Sequence, residues 1–124
     1  MELLAIAIGG ALGAVARFTL GNQINHLTGI EFPYSTLLVN IIGSFLIGIA
    51  FVFLVEKALW GAVWRSALMV GFLGAFTTFS TFSMQALGLL EEGRLMAAGG
   101  YIGSSVVVCI LAVYAGMALA RHVS

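Results

Sequence analysis

The sequence predicts an all-α membrane protein of four transmembrane helices, the third broken in mid-membrane. Three observations carry that prediction. Of 124 residues, 61% are hydrophobic and only 8% charged, whereas a soluble domain carries about a quarter charged residues. The mean hydropathy is +1.13, which with so little charge excludes disorder and an electrostatic nucleic-acid surface. Four apolar stretches, at 3–20, 34–55, 66–90 and 97–120, approach or exceed the ~20 residues of a bilayer crossing. What lies between them is too short for a second domain, so residues 1–124 read as one transmembrane unit.

The first span carries Gly9, Gly10 and Gly13, a small-residue face suited to close helix contact. Its Ala14-Val15-Ala16 resembles a leader cleavage site, but only Met1 and Glu2 precede Leu3 and there is no positive n-region. The segment is therefore read as a mature helix. Arg17 lies roughly 21 Å into a core about 30 Å thick. Two roles stay open for it: snorkelling to the headgroups, or a buried structural partner for backbone carbonyls.

The second span holds Asn40, with Gly43 and Gly48 as packing positions. Taken alone, Asn40 reads as interhelical glue worth ~0.6 kcal/mol. Trp60, Trp64 and Tyr34 sit at span ends, where amphipathic rings prefer the membrane interface.

The third span departs from an ordinary lipid helix. Thr77, Thr78, Ser80, Thr81 and Ser83 crowd its middle, and Thr78-Phe79-Ser80 repeats at once as Thr81-Phe82-Ser83. Residues three apart share a helix face, so Phe79 and Phe82 pair with hydroxyls beside them. One such hydroxyl can bond back to its own helix. Five next to Gly74 predict a local unwinding, tolerated at that depth only where protein or water satisfies the freed backbone.

The fourth span aligns Tyr101, Ser105 and Cys109 at i, i+4 and i+8 on one stripe, and carries Gly99, Gly100 and Gly103 as a packing face. Cys109 is the only cysteine, which excludes an intrachain disulfide and a multi-cysteine metal site. His26 and His122 lie apart, outside the spans. No Asp, Glu, Lys or His stands mid-span, so the relay groups of proton-coupled pumps are missing, and the residues of metal or acid–base catalysis with them. An enzyme is not expected.

With four spans, both termini and the second loop share one side of the membrane. That side holds Lys57, Arg65 and Arg121, the other Arg17 and Arg94. So even a balance gives the positive-inside rule little to read. Insertion both ways up, pairing as an antiparallel dimer, and a fixed topology set by weak cues both stay open.

Neutral amide and hydroxyl donors can replace the hydration of a small anion. The rims of phenyl rings carry the positive part of the quadrupole, and conduction needs binding weak enough to release the ion. The residues thus suit passive movement of a small anion rich in hydrogen-bond demand.

The motif GFLGAFTTFSTFS at 71–83 is joined upstream by Pro33, by Thr36 to Asn40, and by Gly9, Gly10, Gly13 and Arg17. In these residues the chain resembles the Fluc (CrcB-type) fluoride channels over essentially its whole length. The resemblance implies a dual-topology antiparallel homodimer in the cell inner membrane, multi-pass, with two pores exporting toxic fluoride passively. It also implies a structural sodium ion at the dimer interface, held by backbone carbonyls of the third-helix break. Position by position, it makes Phe79 and Phe82 the pore phenylalanines and Asn40 the pore amide, with Ser80 and Thr81 as polar neighbours. Gly74 and Thr77 match the sodium-holding break, Tyr101 and Ser105 the fourth-helix polar track, and Arg17 the structural first-helix arginine. Two positions depart from the family pattern: Gln85 stands where a glutamate is common, and Cys109 where a hydroxyl is expected.

The competing reading is a small dual-topology multidrug or cation exporter. It needs a membrane-embedded carboxylate, and Glu2 and Glu56 lie at span ends. A purely structural subunit is a third class, distinguished by showing no flux.

Overall fold

The computed structural model describes residues 1–124. Four helices are long and apolar enough to cross a membrane. Helix α1 runs Glu2–Thr28 and ends at Gly29, whose φ of 80° suits glycine. It outruns the apolar stretch 3–20 because Gly21, Asn22, Gln23 and Asn25 continue the helix without being apolar. At ~1.5 Å per residue it exceeds a bilayer core, so its last turns stand at the interface.

Helix α2 spans Tyr34–Glu56, starting after Pro33 and passing into π-helical turns over Val52–Glu56. A tight corner follows, where Ala58 and Trp60 take φ of 53° and 67° ahead of Gly61 at 87°. It brings the Trp60 and Trp64 rings to 5.9 Å, both exposed. Helix α3 (62–76) comprises Ala62–Arg65, π-helical Ser66–Leu73 and the single turn Gly74–Phe76. After the break at Thr77 and Thr78, α4 occupies Phe79–Glu91 and α5 Leu95–Val123.

Lipid gives little hydrophobic drive between helices, so packing rests on close backbone approach. A Cβ on Gly9 would collide with the Ala67 carbonyl, and one on Gly13 with the Phe72 carbonyl; one on Gly71 would stand 2.7 Å from the Ile6 oxygen. These positions fasten α1 to α3. Gly48 and Gly116 do the same for α2 and α5, against the Val113 and Phe45 carbonyls. Gly99, Gly100 and Gly103 behave otherwise than the sequence suggests: nothing lies within 4 Å of a Cβ there. The close contact of α5 is made farther along, at Gly116.

Two side-chain clusters complete the packing. Phe82, Ala86 and Leu89 of α4 meet Ala98 and Tyr101 of α5. Ile24, Val39 and Phe76 join α1, α2 and α3 just before the break. At the membrane edge Arg121 grips Glu56 through two nitrogens, at 3.1 and 2.5 Å, tying the end of α5 to the end of α2.

Candidate functional site

The site begins with the break. Thr77 and Thr78 are extended, with φ/ψ of −87°/159° and −149°/118°. An extended pair inside a membrane exposes peptide groups that need partners. Asn40 provides them: its Oδ1 accepts from the Thr78 N–H at 2.8 Å, and its Nδ2 donates to the Thr78 carbonyl at 3.1 Å. The carboxamide stands in for a neighbouring peptide unit, so Asn40 is a latch for the break as well as an amide beside it. One of its two Nδ2 hydrogens remains for another acceptor. The Thr78 hydroxyl caps α4 by accepting from the Thr81 N–H at 3.3 Å.

These bonds have a consequence for the carbonyls upstream. In an unbroken helix the Thr78 N–H would donate to Gly74 and the Thr81 N–H to Thr77. Both donate elsewhere, so the Gly74 and Thr77 oxygens lose their helical donors. The Ala75 oxygen accepts from Arg17 Nε at 3.1 Å. Of the two roles open for Arg17, the structure has the bond to a backbone carbonyl.

Two grooves flank Thr78. The larger, of about 410 Å³, is bordered by Asn40, Ser44, Gly74, Thr77, Phe79, Phe82, Ser105 and Cys109. Its phenyl rings lie 5.4 Å apart, tilted at 45° to one another. They differ sharply in cover: Phe79 is 77% exposed and Phe82 only 8%. Ser105 is buried and its hydroxyl has no hydrogen-bond partner, an uncommon state for a polar atom. The smaller groove, about 170 Å³, has Arg17, Asn22, Thr36, Thr81 and Gln85 on its walls.

Asn40, Gly74, Thr77, Phe79, Phe82 and Ser105 are thus gathered on one groove, and Thr81 and Arg17 on its neighbour. Ser80 borders neither; its exposed hydroxyl lies 3.5 Å from that of Thr78. Tyr101 is also absent from both walls. It is fully buried behind Phe82, ring centroids 5.1 Å apart, and its hydroxyl donates to Gln85 Oε1 at 2.9 Å. The stripe from Tyr101 to Cys109 therefore faces two surroundings, an aromatic core at one end and the groove at the other.

Sequence reasoning passed over Thr78 as the residue that caps α4 and is latched by Asn40, and over Thr36 and Ser44. The last two were within reach of the pattern, since each stands four positions from Asn40 on the same helical face. No metal-binding group of three or more His, Cys, Asp or Glu side chains occurs.

Comparison with known proteins adds the family. The model described as CrcB-like protein, Camphor Resistance (CrcB), matches residues 4–117. A Hahella chejuensis protein named Fluoride-specific ion channel FluC is 50% identical over 120 residues, 97% of this chain and 94% of its own. A protein of that name from Methylococcus capsulatus is 47% identical over 124 residues, all of this chain and 54% of its own. Another, from Acidobacterium capsulatum, is 43% identical over 123 residues, 99% and 98% of the two chains.

Proposed function

We propose a function from the premise that this chain belongs to the CrcB-like family: it is a fluoride-specific ion channel, a multi-pass protein of the cell membrane and not an enzyme. The large groove is our candidate for the conducting surface. The observation that carries this assignment is the buried Ser105 hydroxyl without a partner, on the same wall as two phenyl rims and an amide with a hydrogen to spare. A hydroxyl O–H, an N–H and ring edges together replace fluoride's hydration water with neutral dipoles. No fixed cation holds the ion too tightly to leave.

In this reading Asn40 and Ser105 donate to the ion, and Phe79 and Phe82 turn their edges to it. Thr81 and Ser80 supply hydroxyls where the chain emerges from the break, and Tyr101 holds Phe82 and Gln85 in place. Conduction is passive and relieves fluoride toxicity by letting the ion leave. The exporter reading finds no support, since Glu56 is paired with Arg121 at the helix ends and no carboxylate faces either flanking groove.

Two features favour assembly as an antiparallel homodimer. Phe79 projects from a polar stretch with little of its own chain over it. The loop charges are balanced enough for either orientation. A two-fold axis beside the break would bring the Gly74 and Thr77 carbonyls of two chains together. Oxygen donors of this kind suit a hard cation, and these carbonyls have lost their helical donors. A bound sodium ion would there satisfy freed backbone and pin the two copies together.

Fluoride-electrode efflux from liposomes containing the purified protein tests the function. Efflux down a fluoride gradient at equal pH on both sides is expected. Vesicles that hold fluoride as tightly as protein-free ones would overturn the reading. Cysteines placed at the termini should label from both faces of the membrane; labelling from one face alone would refute the antiparallel pair.

A further inference from the structure

We propose that Cys109 is a modification site within the ion pathway, at which a small sulfur-linked group closes the groove to fluoride. The inference rests on the channel reading and adds to it a reactive position.

Cys109 is partly buried and borders the large groove together with Asn40, Phe79, Phe82 and Ser105. It lies near the midpoint of α5, one turn beyond Ser105. Helical side chains lean toward the N-terminus of their helix, so the thiol overhangs the Ser105 turn. The Ser105 hydroxyl is buried and partnerless. In the channel reading the passing ion satisfies it, and a group added to Cys109 stands in the way of that approach. Two hydroxyls beside the break are already committed. Thr77 Oγ1 donates to the Leu73 carbonyl at 3.0 Å, and Ser83 Oγ to the Phe79 carbonyl at 2.9 Å. The thiol also differs in kind, because a thiolate is a soft nucleophile that attacks sulfur readily. At about 410 Å³ the groove is large enough to admit a small reagent.

Methyl methanethiosulfonate is the probe. Cys109 gives its proton to groove water, and its sulfur attacks the methylthio sulfur of the reagent. A disulfide forms as methanesulfinate departs with the electrons of the broken sulfur–sulfur bond. The product carries an apolar methylthio group on the turn beyond Ser105, and it narrows the groove. A reductant reverses the step by thiol–disulfide exchange.

The chain has one cysteine, so a mass increase of one methylthio group locates the adduct without ambiguity. In liposomes, fluoride efflux should fall to the protein-free level as the adduct forms and recover with dithiothreitol. A Cys109→Ser variant, compared with its own untreated rate, should not respond to the reagent. Full adduct formation with undiminished efflux would overturn the proposal. So would a thiol that stays unreacted while the unfolded chain reacts, or a loss of efflux that reductant does not reverse, since that is collapse rather than closure. Failure of the untreated protein to conduct would instead defeat the channel reading itself. Conduction that ignores the adduct would defeat only the role of Cys109.

Discussion

The two pieces of the third span make opposite use of a similar length of chain. Helix α3 is fastened to α1 by backbone contact, at positions where even a methyl group has no room. Helix α4 carries the hydroxyls and phenyl rings, and leaves Phe79, Ser80 and Ser83 exposed. The difference shows how a small membrane protein combines rigidity with an open polar face. Glycine removes side chains where helices must hold together, and the break turns the chain so that the next helix need not pack as closely. Asn40 joins the two regimes, because its carboxamide completes the peptide groups that the turn leaves open.

The strongest way to break the contrast is to put a side chain into the glycine seam. Gly13→Leu sets a Cβ against the Phe72 backbone, which cannot move aside as a flexible side chain could. A loss of at least about 3 kcal/mol is expected, at the top of the overpacking range. It should appear as failure to recover a monodisperse protein in detergent. Normal yield and thermal stability would mean that the seam is looser than its geometry.

Next comes the pair of rings, which tests both sides of the comparison at once. Phe82 is buried against Ala86, Leu89 and Tyr101, so Phe82→Ala leaves a cavity. An aqueous core would lose ~3–5 kcal/mol, but lipid contributes no transfer term between helices, so about 2–3 kcal/mol is expected. Phe79→Ala removes a ring that its own chain leaves 77% exposed and should cost less thermal stability than Phe82→Ala while lowering fluoride efflux. Equal destabilisation by the two changes would erase the distinction between a packed ring and a projecting one.

How much of this was legible in the sequence follows from the same contrast. The four spans, the hydroxyl-rich interruption and the Phe79–Phe82 pair were readable because they depend on local composition and helical period. The length of α1 was not, because hydropathy is blind to the polar residues that extend a helix past the bilayer. Nor was the latch: an asparagine at position 40 reads as a donor anywhere on a helix, and only the fold places Thr78 opposite it. Tyr101 and Ser105 share a stripe by periodicity. Their different surroundings arise because Phe82 covers the one and the groove borders the other.

Asn40→Asp is the finer probe of the junction. The carboxylate can still accept from the Thr78 N–H, but it loses the donor to the Thr78 carbonyl and sets oxygen against oxygen. A cost of about 1–3 kcal/mol is expected, as for a buried polar group left unpaired. Efflux should fall further than stability does, because the negative charge also repels the ion. Full efflux from the folded variant would remove Asn40 from the pathway.

The smallest expected effect lies at a glycine outside the seam. A Cβ on Gly99 would meet nothing within 4 Å, although the sequence groups Gly99 with Gly100 and Gly103 as a packing face. Within a single chain Gly99→Ala therefore removes no contact and lessens the conformational freedom lost when the helix forms. A gain of roughly 0.5–1 kcal/mol is expected, read as a slightly raised midpoint of thermal unfolding. A clear loss would show that this face of α5 is covered in the assembled protein, and the glycine seam would then extend beyond one chain.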